Sequence, residues 1–239
     1  MDVWTKIFGH KKYRQFVVIC HPRTGSNLLS TYLNAHPNIK MHGEMFRFLH
    51  GQTIKDIYKV FHKKKKRSIK ASGFKLFYTH PEDGNNEEML RLIEGMPEPL
   101  VIHLIRKDKL AIHVSWKIAL LTDVWGIKID QPLIELEKRK ISITREEANN
   151  FLSEISKHEY RIEERFKQNH YLRIFYEDLV DRPQQTMDTI FASLGLSSQP
   201  VYTKYQKSNP EPLHELIINY KELADNGVLN YYANYKSVY

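Results

Sequence analysis

Within this 239-residue chain, Phe16 to Asn27 is the stretch that most constrains the fold. Phe16, Val17, Val18, Ile19 and Cys20 are all apolar or nearly so, with basic residues before them and a Pro soon after. A run that short suits a strand buried on both faces, as in a parallel sheet. His21, Pro22, Arg23, Thr24, Gly25, Ser26 and Asn27 then form a turn with a hydroxyl on each side of one Gly. Leu28, Leu29, Tyr32 and Leu33 recur at helical spacing until His36 and Pro37 close the helix. Strand, Gly-centred basic loop and helix read as a phosphate cradle. Backbone N–H groups at the helix start face an anion, Gly25 lets the backbone approach, and the helix dipole favours negative charge. A βα turn that simply needs Gly leaves the same signature.

The loop is not the G-x-x-x-x-G-K-[ST] motif of ordinary ATPases. No Gly opens it, and Gly25 is followed by Ser26 and Asn27 rather than by Lys and a hydroxyl residue.

Three further apolar runs predict strands: Gly73–Phe77, Leu100–Ile105 and Tyr171–Tyr176. Helical spacing appears over 45–61 with a break near Gly51, over 87–94, after Arg106 with Leu110, Val114 and Leu121 on one side, and over 146–167. On that last helix His158 shares the apolar stripe and reads as packed or capping. Residues 122–145 show no clear period and read as an excursion over the site. Alternating strands and helices make an α/β fold. The expected form is a P-loop-like three-layer arrangement, a central parallel sheet of four to five strands flanked by helices.

An apolar content of 41% supports a packed core and excludes global disorder. The length suits one sizeable domain, 1–239, with a lead-in over 1–15, a core over about 16–223 and a tail over 224–239. The net charge of +8 favours anionic ligands or surfaces. The single Cys20 cannot form an internal disulfide and reads as core. Met1 to Gln15 is polar and basic, unlike a secretory leader. No apolar run approaches the roughly 20 residues of a membrane span, so a cytoplasmic location is expected. The 12 His residues show no paired ligand spacing, and no metal site is expected.

Several motifs match the sulfotransferases in order along the chain. The loop Pro22-Arg23-Thr24-Gly25-Ser26 resembles that family's 5′-phosphosulfate loop, P-[RK]-[ST]-G-[ST]. Ala35-His36-Pro37 and then Gly43-Glu44 follow, as in bacterial carbohydrate sulfotransferases and, more distantly, tyrosylprotein sulfotransferases. Arg106 at a strand end with Ser115 on the next helix resembles the family's 3′-phosphate motif, and the phrase from Tyr176 to Pro183 also recurs there. The resemblance covers residues 16 to about 223 and implies transfer of a sulfuryl group from 3′-phosphoadenosine 5′-phosphosulfate (PAPS) to a hydroxyl. The implied acceptor is a carbohydrate or glycolipid, with no nucleic-acid partner and no metal.

Under that resemblance Arg23, Thr24, Gly25, Ser26 and Asn27 hold the 5′-phosphosulfate. Arg106 and Ser115 hold the 3′-phosphate, a forked donor beside a hydroxyl. Glu44 is the general base, or else a carboxylate near the start of the next helix. A partly buried cleft would suit a Glu base by raising its pKa. Lys75 and His80 flank the transferring group, and Arg23 with Lys75 neutralises charge building on the leaving oxygen. Lys75 reads equally as a solvent-facing residue of an edge strand. Lys207 is a 3′-phosphate contact or an exposed loop residue. Glu177 and Asp178 read as caps of the following turn. Trp116 and Trp125 line an acceptor groove or simply pack. The basic run Lys63 to Arg67 is a solvated loop, or a patch for an acidic acceptor or a membrane face.

Two other readings compete. A small-molecule or nucleoside kinase with an atypical loop would need Asp108 for Mg²⁺. A non-catalytic binder of acidic polymers would use the basic run but leave Arg106 and Ser115 unexplained.

Overall fold

Each apolar run is a strand, and all lie parallel in one sheet of a computed structural model that describes Thr5 and residues 9–235. The strands are β1 (Arg14–Cys20), β2 (Ile39–Met41), β3 (Ala71–Phe77), β4 (Leu100–Ile105) and β6 (Tyr171–Phe175), in the order β2-β3-β1-β4-β6. Two further strands, β5 (Ile127–Lys128) and β7 (Tyr205–Gln206), form a separate antiparallel pair. Parts of the expected lead-in, 1–4 and 6–8, and the end of the tail, 236–239, lie outside the described residues.

Helices cover both faces. They are α1 (Ser26–Ala35), α2 (Ile54–Phe61), α3 (Asn86–Glu94), α4 (Lys109–Thr122), α5 (Arg145–Phe166), α6 (Tyr176–Asp181) and α7 (Pro183–Ser193), followed by α8 (Leu213–Leu216), α9 (Tyr220–Asp225) and α10 (Val228–Tyr235). β1 shows why both faces need cover. Val17 and Ile19 pack with residues of α2, α3 and α5, while Phe16, Val18 and Cys20 pack with α1 and α7. Strand alternation thus splits one apolar run between two cores. Opposite Phe16, β3 carries Gly73, where a Cβ would lie 2.4 Å from the Phe16 carbonyl oxygen.

The chain adds β2 and β3 on one side of β1 and β4 on the other. That reversal opens a crevice beyond the carboxyl ends of β1 and β4, the usual ligand position in such sheets.

Four expectations change. β3 lies inside the sheet and Lys75 is only 4% exposed, so the edge-strand reading of Lys75 fails. Residues 45–53 are turns rather than helix, because Gly51 takes φ 76° and the Asp83 carboxylate accepts from the Leu49 and His50 N–H groups. Thr53 then caps α2, accepting from Asp56 N. Leu121 is 60% exposed rather than packed with Leu110 and Val114. The excursion over 122–145 holds β5 and a short 3-10 turn, Leu136–Arg139.

Candidate functional site

The loop after β1 is shaped by two left-handed residues, Arg23 at φ 69° and Gly25 at φ 87°. Gly25 is the N-cap of α1 and no side chain among the described residues caps that helix, so its first N–H groups are left for another acceptor. A Cβ on Gly25 would stand 2.4 Å from the Tyr176 ring, so that position requires glycine on two counts. The Thr24 hydroxyl is turned inward and donates to the His21 carbonyl at 2.7 Å, which leaves Thr24 its backbone to offer.

Arg23 and Arg106 meet at the crevice. Arg23 Nε donates to Ser115 Oγ at 2.9 Å, and its NH1 donates to the Trp125 carbonyl. Arg106 leaves the end of β4, stacks its guanidinium 4.4 Å above the Tyr176 ring and donates to the Arg23 carbonyl at 3.3 Å. Its Nε is buried and has no hydrogen-bond partner. Neither Arg forms an ion pair with a carboxylate among the described residues. Burial first, and then the charge of Arg106, draws the Arg23 pKa down to about 10. Two cations placed together with no carboxylate partner among the described residues favour an anion beside them.

The loop from β4 to α4 is fixed from below. Glu177 accepts from the backbone N–H groups of Lys107 (3.0 Å) and Asp108 (3.3 Å), so it anchors the Arg106 loop instead of capping its own turn. Asp178 pairs with Arg182 at 2.5 Å. The buried Lys109 donates to the Arg106 carbonyl at 2.8 Å and pairs with the buried Glu159 at 2.5 Å. Asp108 caps α4, accepting from Ala111 N at 3.0 Å.

Lys75 joins the loop to Glu44. Its Nζ lies 2.9 Å from Glu44 Oε1, 2.8 Å from Asn27 Oδ1 and 3.3 Å from Ser26 Oγ. The backbone explains the meeting. Past β2 the chain keeps running beside β3, with Lys75 N donating to the Gly43 carbonyl at 3.2 Å, which delivers the next residue, Glu44, to the ammonium. Glu44 starts no helix, so its reading as a helix-start carboxylate fails. His80 is buried behind this pair. Its Nδ1 accepts from Phe77 N at 3.3 Å, its Nε2 lies 3.6 Å from Glu82, and burial chiefly lowers its pKa.

A cavity of about 570 Å³ is lined by Arg23, Gly25, Ser26, Asn27, Arg106 and Ser115, while Lys75, Glu44 and His80 lie outside its lining. It is also lined by residues the sequence reading did not assign: Tyr176, Gly126, Tyr205 and Asn209. Asn209 donates to Ser115 Oγ at 3.3 Å, and Arg139 donates to Asn209 Oδ1 at 3.3 Å while pairing with Glu211. Lys207 stands exposed on the cavity rim. Trp125 lines this same cavity rather than a separate groove, whereas Trp116 packs against Phe151 and His113. On the far side of Glu44 a second groove, of about 480 Å³, runs past Met45, Phe48, Ile57 and Val60. Glu44 lines this second groove, and its partner Lys75 touches Ser26 and Asn27, which line the first cavity.

Among the described residues no three His, Cys, Asp or Glu side chains are grouped to hold a metal ion. No described helix is long and apolar enough to cross a membrane.

Comparison with known proteins adds three findings. The family model described as Stf0 sulphotransferase matches residues 51–221, a span holding Lys75, His80, Arg106, Ser115 and Lys207 but not the Arg23–Asn27 loop or Glu44. No curated protein matches the chain. Among solved structures the chain is similar to the sulfotransferase from Alicyclobacillus acidocaldarius. Their TM-score is 0.56 at 13% identity, over 93% of this chain and 92% of that one. It is also similar to mouse sulfotransferase SULT7A1 complexed with PAP, with a TM-score of 0.49 at 17% identity over 82% of this chain and 64% of that one.

Proposed function

This chain belongs to the Stf0 sulphotransferase family, and from that premise we propose that its cavity takes PAPS and that the sulfuryl group passes to a hydroxyl of a carbohydrate or glycolipid. The observation that carries the reading is the pair Arg23 and Arg106, two cavity guanidiniums with no carboxylate partner among the described residues, one with a buried Nε unsatisfied. A cavity of about 570 Å³ lies within the usual range of small-molecule sites, roughly 300–1,000 Å³.

PAPS supplies a sulfuryl group on a good leaving oxygen. The protein's task is then positioning and charge stabilisation, as in phosphoryl transfer. Backbone N–H groups from Thr24 to Asn27, with Arg23, hold the 5′-phosphosulfate at the start of α1. Arg106 and Ser115 take the 3′-phosphate, Asn209 and Glu177 keep them in place, and Lys207 adds charge from the rim. Lys75 carries three ammonium donors, enough to reach the bridging oxygen while keeping Asn27, and so neutralises charge as it builds there. Glu44 receives the acceptor's proton on the side of the second groove. His80 acts at one remove, holding the end of β3 from which Lys75 projects.

The test is incubation with PAPS labelled in the sulfur and a panel of mono-, di- and glycolipid saccharides. The expected result is label in a saccharide ester with equal release of adenosine 3′,5′-bisphosphate. Transfer to simple phenols but to no saccharide would overturn the acceptor class. Release of sulfate alone across the panel would overturn the transfer reading.

A further inference from the structure

Charge is divided unevenly along this chain. Residues 1–80 hold 16 Lys and Arg against 3 Asp and Glu, a net +13, while residues 81–239 hold 20 against 25, a net −5. The whole basic excess therefore belongs to the first third of the sequence, and the fold collects it. Lys11 and Lys12 lead into β1, and Lys63–Arg67 and Lys70 lead into β3. The two leads are tied by backbone hydrogen bonds between His10 and Lys65, at 3.0 and 2.8 Å, and from Arg14 N to the Lys70 carbonyl at 2.8 Å. Lys40 joins them from the edge strand β2, and Lys55 and Lys59 from α2.

None of Lys11, Lys12, Lys40, Lys55, Lys63 and Lys70 pairs with a carboxylate among the described residues, and all six are exposed. Their field reaches inward. Beyond burial, Lys65 and Lys40 push the His42 pKa down, and Lys11 and Lys65 do the same to His62. A patch of this kind attracts any polyanion. What selects among polyanions is the apolar surface beside it. Val60, 50% exposed, follows Lys59 and lies less than one helical turn before Lys63. It shares a groove wall with Phe48, 40% exposed. Nucleic acid or an acidic polysaccharide would leave these side chains in water, whereas a lipid headgroup layer accepts both cations and apolar side chains.

We propose that this face docks on an anionic lipid bilayer, with the lysines on the headgroups and Val60 and Phe48 in the headgroup boundary. Lys11, Lys12, Lys40, Lys63 and Lys70 lie at the β2 edge and near the N-terminal ends of β1 and β3, away from the Arg23 and Arg106 cavity at their carboxyl ends. Glu44 lines the same groove as Phe48 and Val60, so an acceptor held in the bilayer would reach Glu44 from the docked side. Only this last consequence rests on the proposed role of Glu44.

The test is co-sedimentation of the full chain with vesicles of phosphatidylcholine alone or mixed with phosphatidylserine. It needs no donor and no turnover. Binding to the mixed vesicles alone is expected, weakening as salt shortens the screening length below about 8 Å. It should fall at least tenfold in a Lys11→Glu, Lys12→Glu, Lys63→Glu, Lys70→Glu variant whose melting temperature is unchanged. A neutral Val60→Ser, Phe48→Ser variant should lose vesicle binding several-fold and keep its affinity for heparin. Two results would overturn the proposal: vesicle binding indifferent to both variants, or tight heparin binding with no vesicle binding at all.

Discussion

The Lys75 ammonium lies 2.9 Å from the Glu44 carboxylate and 2.8 Å from the Asn27 side-chain oxygen. One cation therefore links the loop that would hold the donor to the group that would deprotonate the acceptor. Lys75 projects from an interior strand and is almost fully buried, so its position is set by the sheet and not by a flexible loop. Such rigidity is what transfer chemistry without a covalent intermediate requires.

Glu44→Gln keeps the shape of the side chain and removes the proposed proton acceptor. Turnover should fall by about 10²–10⁴ while affinity for adenosine 3′,5′-bisphosphate is unchanged. Lys75→Ala should differ, leaving a part-buried Glu44 without its partner and lowering stability by about 1–3 kcal/mol. Steady-state kinetics beside thermal melts of both variants check this.

Gly25→Ala places a methyl group against the Tyr176 ring in a left-handed backbone conformation. The backbone term alone costs about 1–2 kcal/mol. At about 2–4 °C per kcal/mol for a chain of this size, the melting temperature should drop by several degrees. Adding Tyr176→Ala should recover part of the melting temperature but not nucleotide affinity, because Tyr176 also carries the Arg106 guanidinium. The double-mutant cycle separates the two effects.

Much of this architecture was local enough to read from the sequence. The β1 run, the Gly25 loop and α1 follow one another directly, and Arg106 and Ser115 are set by one strand end and one helix. What escaped depends on contacts between distant segments. Glu177 bonds to the backbone 70 residues earlier, at Lys107, where a capping role was the local reading. Asn209 reaches Ser115 from 94 residues away. Tyr176 lies against Gly25, whereas its sequence signals, the end of a predicted strand and the start of the phrase running to Pro183, gave no hint of that contact. β2 is three residues long, too short for any period to show. Residues 45–53 carry a helical pattern, but Gly51 and the long-range grip of Asp83 override it.

Acid should destabilise the fold through its buried imidazoles. His103 bridges the Tyr78 and Tyr171 hydroxyls inside β4, and burial chiefly lowers its pKa to about 3. His113 bonds to the Tyr232 hydroxyl, with a pKa of about 4, again chiefly through burial. Both stay neutral in the folded chain while the unfolded chain binds protons below its ordinary His pKa of about 6.5. Stability is therefore full above that pH and falls as pH drops toward 4, by up to about 1.4 kcal/mol per pH unit for each His. Urea melts from pH 7 to 4.5 should show this slope, and His113→Gln should reduce it.

Calorimetric and thermal-shift titration with adenosine 3′,5′-bisphosphate, against ATP–Mg, on wild type and Arg106→Ala, tests the donor site most directly. A ligand at 100 times its Kd should stabilise the native chain by about 2.7 kcal/mol, a rise of roughly 5–10 °C. The expected result is that rise with the bisphosphate on wild type, and its loss in Arg106→Ala with the unliganded melting temperature preserved. A rise with ATP–Mg alone, or one that survives Arg106→Ala intact, would contradict the assignment of the Arg23 and Arg106 cavity to the donor.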